Sequence, residues 1–233
     1  MNSPPPKRMR FSLLLWPLLL LLGGAVWLIG SPAARHLGRA ISAPVQRTLG
    51  IRPAPTTFAE RLAYAAEDIV DPRIVYDPAY VSLDYPGGDV PPTRGVCADV
   101  IIRAYRRLDI DLQVRVHTDM KAHFSAYPQR WGLRRPDRNI DHRRVYNLAT
   151  FFKRHGQTLP CTQQGDDYRP GDIVCWTVQN LGHIGLVSSR RNGDDTRYLI
   201  VHNIGGGQVL EDMLFAYPII GHFRYAPPPP APH

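Results

Sequence analysis

Apolar residues follow three different rhythms along this chain. From Phe11 to Gly30 they run almost unbroken, as FSLLLWPLLLLLGGAVWLIG. A run of about 20 residues matches the hydrocarbon thickness of a bilayer and exceeds the apolar core of most cleaved signals. It predicts an N-terminal membrane anchor or signal segment over residues 1–30, retained in the mature chain. The small residues Ser31, Ala33 and Ala34 behind it keep cleavage open as the alternative. Residues 31–56 are rich in Ala, Pro and Arg and read as a linker.

From Phe58 the rhythm is helical. Leu62, Ala65, Ala66 and Ile69 make one apolar face, Thr57 and Glu60 have capping-box spacing, and Asp71-Pro72 is expected to stop the helix. The Pro- and Gly-rich stretch YPGGDVPPTRG follows as loop. In Val96 to Leu108 the residues Val100, Ile101, Ala104, Tyr105 and Leu108 again share a face, which puts Cys97 in the first turn of a core-packed helix. A further helix is expected from Arg144 to His155, with Gly156 as its C′ residue. In the last third the segments IVCWTV, HIGLVS, RYLIVHNI and IIGHFRY are short, β-rich and bounded by turn formers. Helices first and strands afterwards predict an α+β domain over residues 57–225, its helices packed on a C-terminal antiparallel sheet. A Pro-rich tail, residues 226–233, ends the chain.

Charge adds a direction. The formal net charge is +8, and Lys7, Arg8 and Arg10 precede the apolar run. Basic residues on that flank stay cytoplasmic, so the domain is expected outside the inner membrane, in the periplasm or cell envelope. The other basic residues are interspersed with acids, with no long basic run, which argues against nucleic acid as partner. The three cysteines leave at least one unpaired in a monomer. Cys161 and Cys175 can pair and leave Cys97 single, or all three can stay reduced.

Cys97 is the sharpest candidate for chemistry. A helix start offers unpaired N–H groups and partial positive charge, which favour the thiolate and predict a pKa below the usual value of about 8.5. On position alone it reads equally as a small buried core cysteine. His183, set between Gly182 and Gly185 at a strand start, suits a general base; an ordinary hydrogen-bonded histidine is the alternative. His202 and Asn203 end the next strand on opposite faces, so one of them can orient that base.

Other polar groups carry less. His117, Asp119 and His123 have spacings found among metal ligands, against the reading of a solvated helix start capped by Thr118. Asp141, His142, Arg143 and Arg144 can meet substrate carboxylates, or can be a charged helix entrance. Gly205, Gly206 and Gly207 lack the Lys-Ser or Lys-Thr and the helix that a phosphate loop needs.

Taken in order, a helix-borne Cys97, Gly171-Asp172-Ile173-Val174, Gly182-His183-Ile184-Gly185 and a polar residue on the next strand resemble NlpC-type cell-wall peptidases of the papain-like cysteine peptidase superfamily. GVCADVIIRAYR, the VHTDM segment, NIDHRR and GHIGLV more closely resemble the YijF-like bacterial domain of unknown function, over about residues 59–225. The resemblance implies a papain-like fold with Cys97 as nucleophile, His183 as base and His202 as orienting residue. The wider family places a tyrosine shortly before the cysteine, a spacing that Tyr85 fits; Asp99 and Asn203 are possible supporting residues. One departure stands out. The peptidase pattern is Asp-Cys-Ser-Gly, whereas Val96-Cys97-Ala98-Asp99 carries its acid after the cysteine. The expected activity is an extracytoplasmic cysteine hydrolase. It would cleave amide bonds in cell-wall peptides through a Cys-His-His triad and an acyl-enzyme, with no cofactor and no metal. The alternative is a non-catalytic binding or assembly module at the membrane.

Overall fold

Thr57 caps the first helix of the domain, α1 (Phe58–Glu67), in a reciprocal capping box: its hydroxyl accepts from the Glu60 N–H at 3.1 Å, and Glu60 accepts from the Thr57 N–H at 3.0 Å. The computed structural model describes residues 52–228. The anchor segment, most of the linker and the end of the tail lie outside the described residues. Among the described residues no helix is long and apolar enough to cross a membrane. Helix α1 ends four residues before Asp71, earlier than the Asp71-Pro72 stop predicts. Asp71 forms a β-bridge with Gln208 (N–H to carbonyl, 2.8 and 3.1 Å), and this long-range pairing draws the chain out of the helix before proline can act.

Two short strands, β1 (Val75–Tyr76) and β2 (Arg94–Gly95), pair in parallel and lead into α2 (Cys97–Arg106). Next comes α3 (Leu112–Ala122), capped by Asp111, whose carboxylate accepts from the Val114 N–H at 3.2 Å. The expected cap at Thr118 is therefore corrected: Thr118 lies inside a helix whose buried face is Leu112, Val116 and Met120 at i, i+4 spacing. Helix α4 (Val145–His155) ends at Gly156 as expected, but with an extended backbone rather than a left-handed one. Gly156 is needed for close approach: a Cβ there would stand 2.7 Å from the Arg224 carbonyl.

The remaining strands are β3 (Gln157–Thr158), β4 (Ile173–Val178), β5 (Leu181–Arg191), β6 (Tyr198–His202), β7 (Val209–Glu211) and β8 (Ile219–Arg224). They form one antiparallel sheet in the order β3-β8-β4-β5-β6-β7. Between β4 and β5 a two-residue turn places both Gln179 (φ 48°) and Asn180 (φ 66°) in the left-handed region, the geometry that suits a hairpin's twist. That turn sets the register Trp176 opposite His183. Alternation then gives the sheet two buried faces. Ile173, Cys175, Ile184, Leu186 and Val201 pack under α1, α2 and α4, while Val174, Trp176, Val187 and Ile200 pack against Tyr168, Met213 and Leu214. The fold is α+β, with the helices on one face of an antiparallel sheet.

This alternation also decides the cysteines. Cys175 points into the helix-side core, Cys161 stays on the surface, and neither forms the pairing that their proximity in sequence allowed. All three cysteines are unbridged.

Candidate active site

The entry to α2 is built by an ion pair rather than by a side-chain cap. Val96 occupies the N-cap without an oxygen to offer, so Asp99 accepts the Val96 N–H on Oδ2 at 2.7 Å. The same carboxylate receives two parallel N–H bonds from Arg143, at 2.9 Å each, with both side chains 2% exposed. Arg143 also donates to the carbonyls of Ala79 (3.2 Å) and Asp77 (3.5 Å), while the Asp77 N–H bonds the Gly95 carbonyl at 3.2 Å. One guanidinium thus joins the start of α2 to the segment that follows β1. Arg143, a candidate for substrate carboxylates on sequence grounds, is committed to Asp99. The acid after the cysteine therefore has a structural task, holding the Val96 N–H and the Arg143 guanidinium together. Arg144 stands over the Trp131 ring at 4.2 Å, and its guanidinium lies 3.6 Å from Asp141.

Cys97, at the first position of α2, is buried. Burial pushes its thiol up to about 11. The N–H of Ile184 opposes that shift, the Asp99 charge adds to it, and the N–H groups of Ala98 and Cys97 itself oppose it. The expectation of a depressed thiol is therefore corrected: desolvation outweighs the helix start. Ile184 is the residue after His183 on β5, and the His183 ring lies 5.8 Å from the Trp176 ring, centroid to centroid.

His183 Nε2 lies 3.1 Å from His202 Nδ1, with the two rings nearly perpendicular at 88°. His202 Nε2 in turn lies 3.2 Å from Glu211 Oε2. Both histidines are buried. Burial, then His202, holds His183 down at about 3; burial lowers His202 as well, against the pull of Glu211. The glycines flanking His183 make room for its neighbours. A Cβ on Gly185 would come 2.6 Å from Ile200 Cγ2 and 3.2 Å from His202 Cβ, and one on Gly182 would come 3.1 Å from the Tyr146 ring.

Of His202 and Asn203, the one that meets His183 is His202. Asn203 turns the other way, donating to the Gly95 carbonyl at 3.4 Å and accepting from the Gly205 N–H at 3.0 Å. It holds the loop before Cys97, so its removal is not expected to be silent. Tyr85 is not brought to the cysteine. Its ring packs edge-on against His117 (5.4 Å between centroids) and under Arg138 (5.7 Å). The tyrosine at the site is Tyr76, whose hydroxyl is within hydrogen-bonding reach of the Cys97 side chain and is pushed up to about 12, first by burial and then by Cys97 and Asp99. Tyr76 and Glu211 were both invisible to spacing. A two-residue strand has no periodicity, and a glutamate on a three-residue strand resembles any solvated acid. The pairing Tyr76 with Gly95 is long-range, and only that pairing sets the tyrosine beside the cysteine.

The metal reading fails on geometry. Asp119 accepts from Arg154 (2.7 and 3.1 Å) and Tyr127 (2.6 Å) and neighbours His123 and His155, while His117 lies against Tyr85. Among the described residues no group of three or more His, Cys, Asp or Glu is arranged to hold a metal ion. The glycines 205–207 lead into β7, not into a helix.

Burying these imidazoles in neutral form has a consequence for stability. His183 is held at about 3 and His142, by burial and Arg143, at about 4, both below the ordinary histidine value. Between the folded and the unfolded values the unfolded chain binds more protons, so stability falls as pH drops from about 6.5 toward 4. Asp141, raised to about 6 by burial, works in the opposite sense over the lower part of that window. Thermal melts followed by circular dichroism are expected to show a falling Tm from pH 7 to pH 4.5; a flat or rising Tm would contradict it.

The fold and site define a class: an α+β domain with a cysteine at the start of a sheet-packed helix and two adjoining histidines on neighbouring strands. Within it, the chain belongs to the family described as a domain of unknown function, DUF1287, whose model matches residues 63–225. The uncharacterized protein YijF of Escherichia coli (strain K12) is 53% identical over 165 residues, which cover 70% of this chain and 80% of that protein. Structures of NlpC2 and NlpC1 from Trichomonas vaginalis are similar at 18% and 19% identity, over 74% and 75% of this chain and 49% and 46% of theirs, with TM-scores of 0.42 and 0.41. The chain spans about half the length of those two proteins.

Proposed function

We propose that this chain is a cysteine hydrolase that cleaves amide bonds, with cell-wall peptide as its substrate class. The observation that carries the reading is the placement of three side chains by neighbouring elements: Cys97 at the first position of α2, its thiol pushed up by burial and drawn down by the Ile184 N–H, and on β5 and β6 the pair His183 and His202, Nε2 to Nδ1 at 3.1 Å. In the reaction the Cys97 proton passes to His183 as Sγ attacks the carbonyl carbon. Backbone N–H groups at the start of α2 and the Tyr76 hydroxyl face the charge that develops. The C–N bond then breaks, and His183 returns the proton to the leaving amine. Water, deprotonated by His183, attacks the thioester and restores the thiol. We further read residues 1–30 as an anchor and 31–56 as a linker that hold the domain on the outer face of the inner membrane.

A second reading has its own observation. Burial keeps both Cys97 and His183 uncharged, as in a non-catalytic binding module on the same scaffold. Incubating the full chain, solubilised in detergent, with peptidoglycan fragments separates the two. Mass spectrometry is expected to find fragments cleaved with addition of one water by the wild type, and none with Cys97→Ala. Intact fragments that co-purify with both proteins would support the binding module instead.

A further inference from the structure

The hydrogen-bond chain that begins at His183 does not end at His202. A neutral imidazole has one donor and one acceptor nitrogen, and an ionised carboxylate can only accept. Glu211 Oε2 therefore requires a proton on His202 Nε2, 3.2 Å away. That leaves His202 Nδ1 as an acceptor, so the 3.1 Å contact with His183 is donated by His183 Nε2. A neutral His183 that donates from Nε2 has its lone pair on Nδ1, and among the described residues Nδ1 takes no hydrogen bond. The carboxylate thus dictates, through two rings, which nitrogen of His183 can accept a proton. The fold holds the three groups in place from two strand pairings. His202 stands opposite Val209 and Ile200 opposite Glu211, so the glutamate reaches His202 across one diagonal of the β6–β7 ladder. Glu211 itself is half exposed and no part of either core, so its polar contact is not a by-product of packing.

We propose that Glu211 is a positioning residue that selects the His183 tautomer with an unprotonated Nδ1, extending the site to Cys97, His183, His202 and Glu211. The effect on turnover rests on the hydrolase reading; the tautomer assignment does not. Without Glu211, His202 is free to carry its proton on Nδ1. His183 Nε2 then becomes the acceptor of that contact and Nδ1 carries the proton, which removes the base.

Long-range proton–nitrogen NMR on the full nitrogen-15-labelled chain in detergent tests this. His183 and His202 are identified by their loss in His183→Gln and His202→Gln. In wild type both rings are expected as the Nε2–H tautomer. Glu211→Ala is expected to move a large share of both to Nδ1–H, and Glu211→Gln, whose amide oxygen still accepts, to restore the wild-type pattern. Where wild type cleaves its substrate, Glu211→Ala is expected to lower kcat about tenfold, less than the roughly 10⁴-fold loss known when a directly bonded orienting carboxylate is changed. An Nδ1–H tautomer at His202 in wild type, or unchanged tautomers in Glu211→Ala, would overturn the proposal. A wild type with the expected tautomers but no cleavage of any peptide would count against the hydrolase reading and leave the role of Glu211 standing.

Discussion

Turnover in His183→Ala is expected to fall by about 10²–10⁴-fold, the contribution of a positioned general acid–base. The reason lies in the resting charges. With the thiol pushed up to about 11 and the imidazole held down at about 3, both groups are neutral across the physiological range. Attack therefore needs proton transfer to His183 during the reaction, because no standing thiolate is waiting. A companion measurement follows from the same values. Alkylation of Cys97 by iodoacetamide without substrate, quantified on its own peptide to separate it from exposed Cys161, is expected to be slow at pH 7. It should climb roughly tenfold per pH unit toward pH 11, since only the thiolate reacts. Fast alkylation with a plateau between pH 5 and 8 would reveal a resting thiolate–imidazolium pair and refute the neutral-pair account. Unchanged turnover in His183→Ala would remove the histidine from the mechanism.

Arg143→Ala is expected to cost about 3–5 kcal/mol, the usual penalty for leaving a buried charge without its partner. Asp99 would keep its carboxylate at the start of α2 without the two N–H bonds it now receives. Arg143→Lys is expected to rescue poorly, because an ammonium cannot make the paired contact or reach both carbonyls beyond it. The double variant Asp99→Ala/Arg143→Ala should recover part of the loss, since it removes the stranded charge together with its partner. Denaturant titrations of the four proteins in detergent measure the coupling. A loss below 1 kcal/mol for Arg143→Ala would show that the pair is dispensable. Because Arg143 also ties down the segment after Tyr76, activity is expected to fall further than the folded fraction does.

The local features of this domain were legible in its residues. The capping box at Thr57 and Glu60, the helical face behind Cys97, the end of α4 at Gly156 and the four long strands all follow from periods of 3.6 and 2 and from caps and turns, interactions that span a few residues. Cys97 at the first turn of its helix, and His183 at the start of a strand between two glycines, were visible for the same reason. What the sequence left open was decided by pairing between distant segments. The β4–β5 turn and the β5–β6 pairing chose His202 over Asn203. The β1–β2 pairing brought Tyr76, and not Tyr85, to the thiol, and the β6–β7 ladder brought in Glu211. The charge state of Cys97 was decided in the same way. A helix start pulls a thiol down wherever it occurs, but burial pushes it up by an amount that depends on everything packed around it, and in this fold the surroundings win. Arg143 makes the same point from the other side. Its residue type promised an anion, and only the folded chain shows that the anion is Asp99, 44 residues earlier in the sequence.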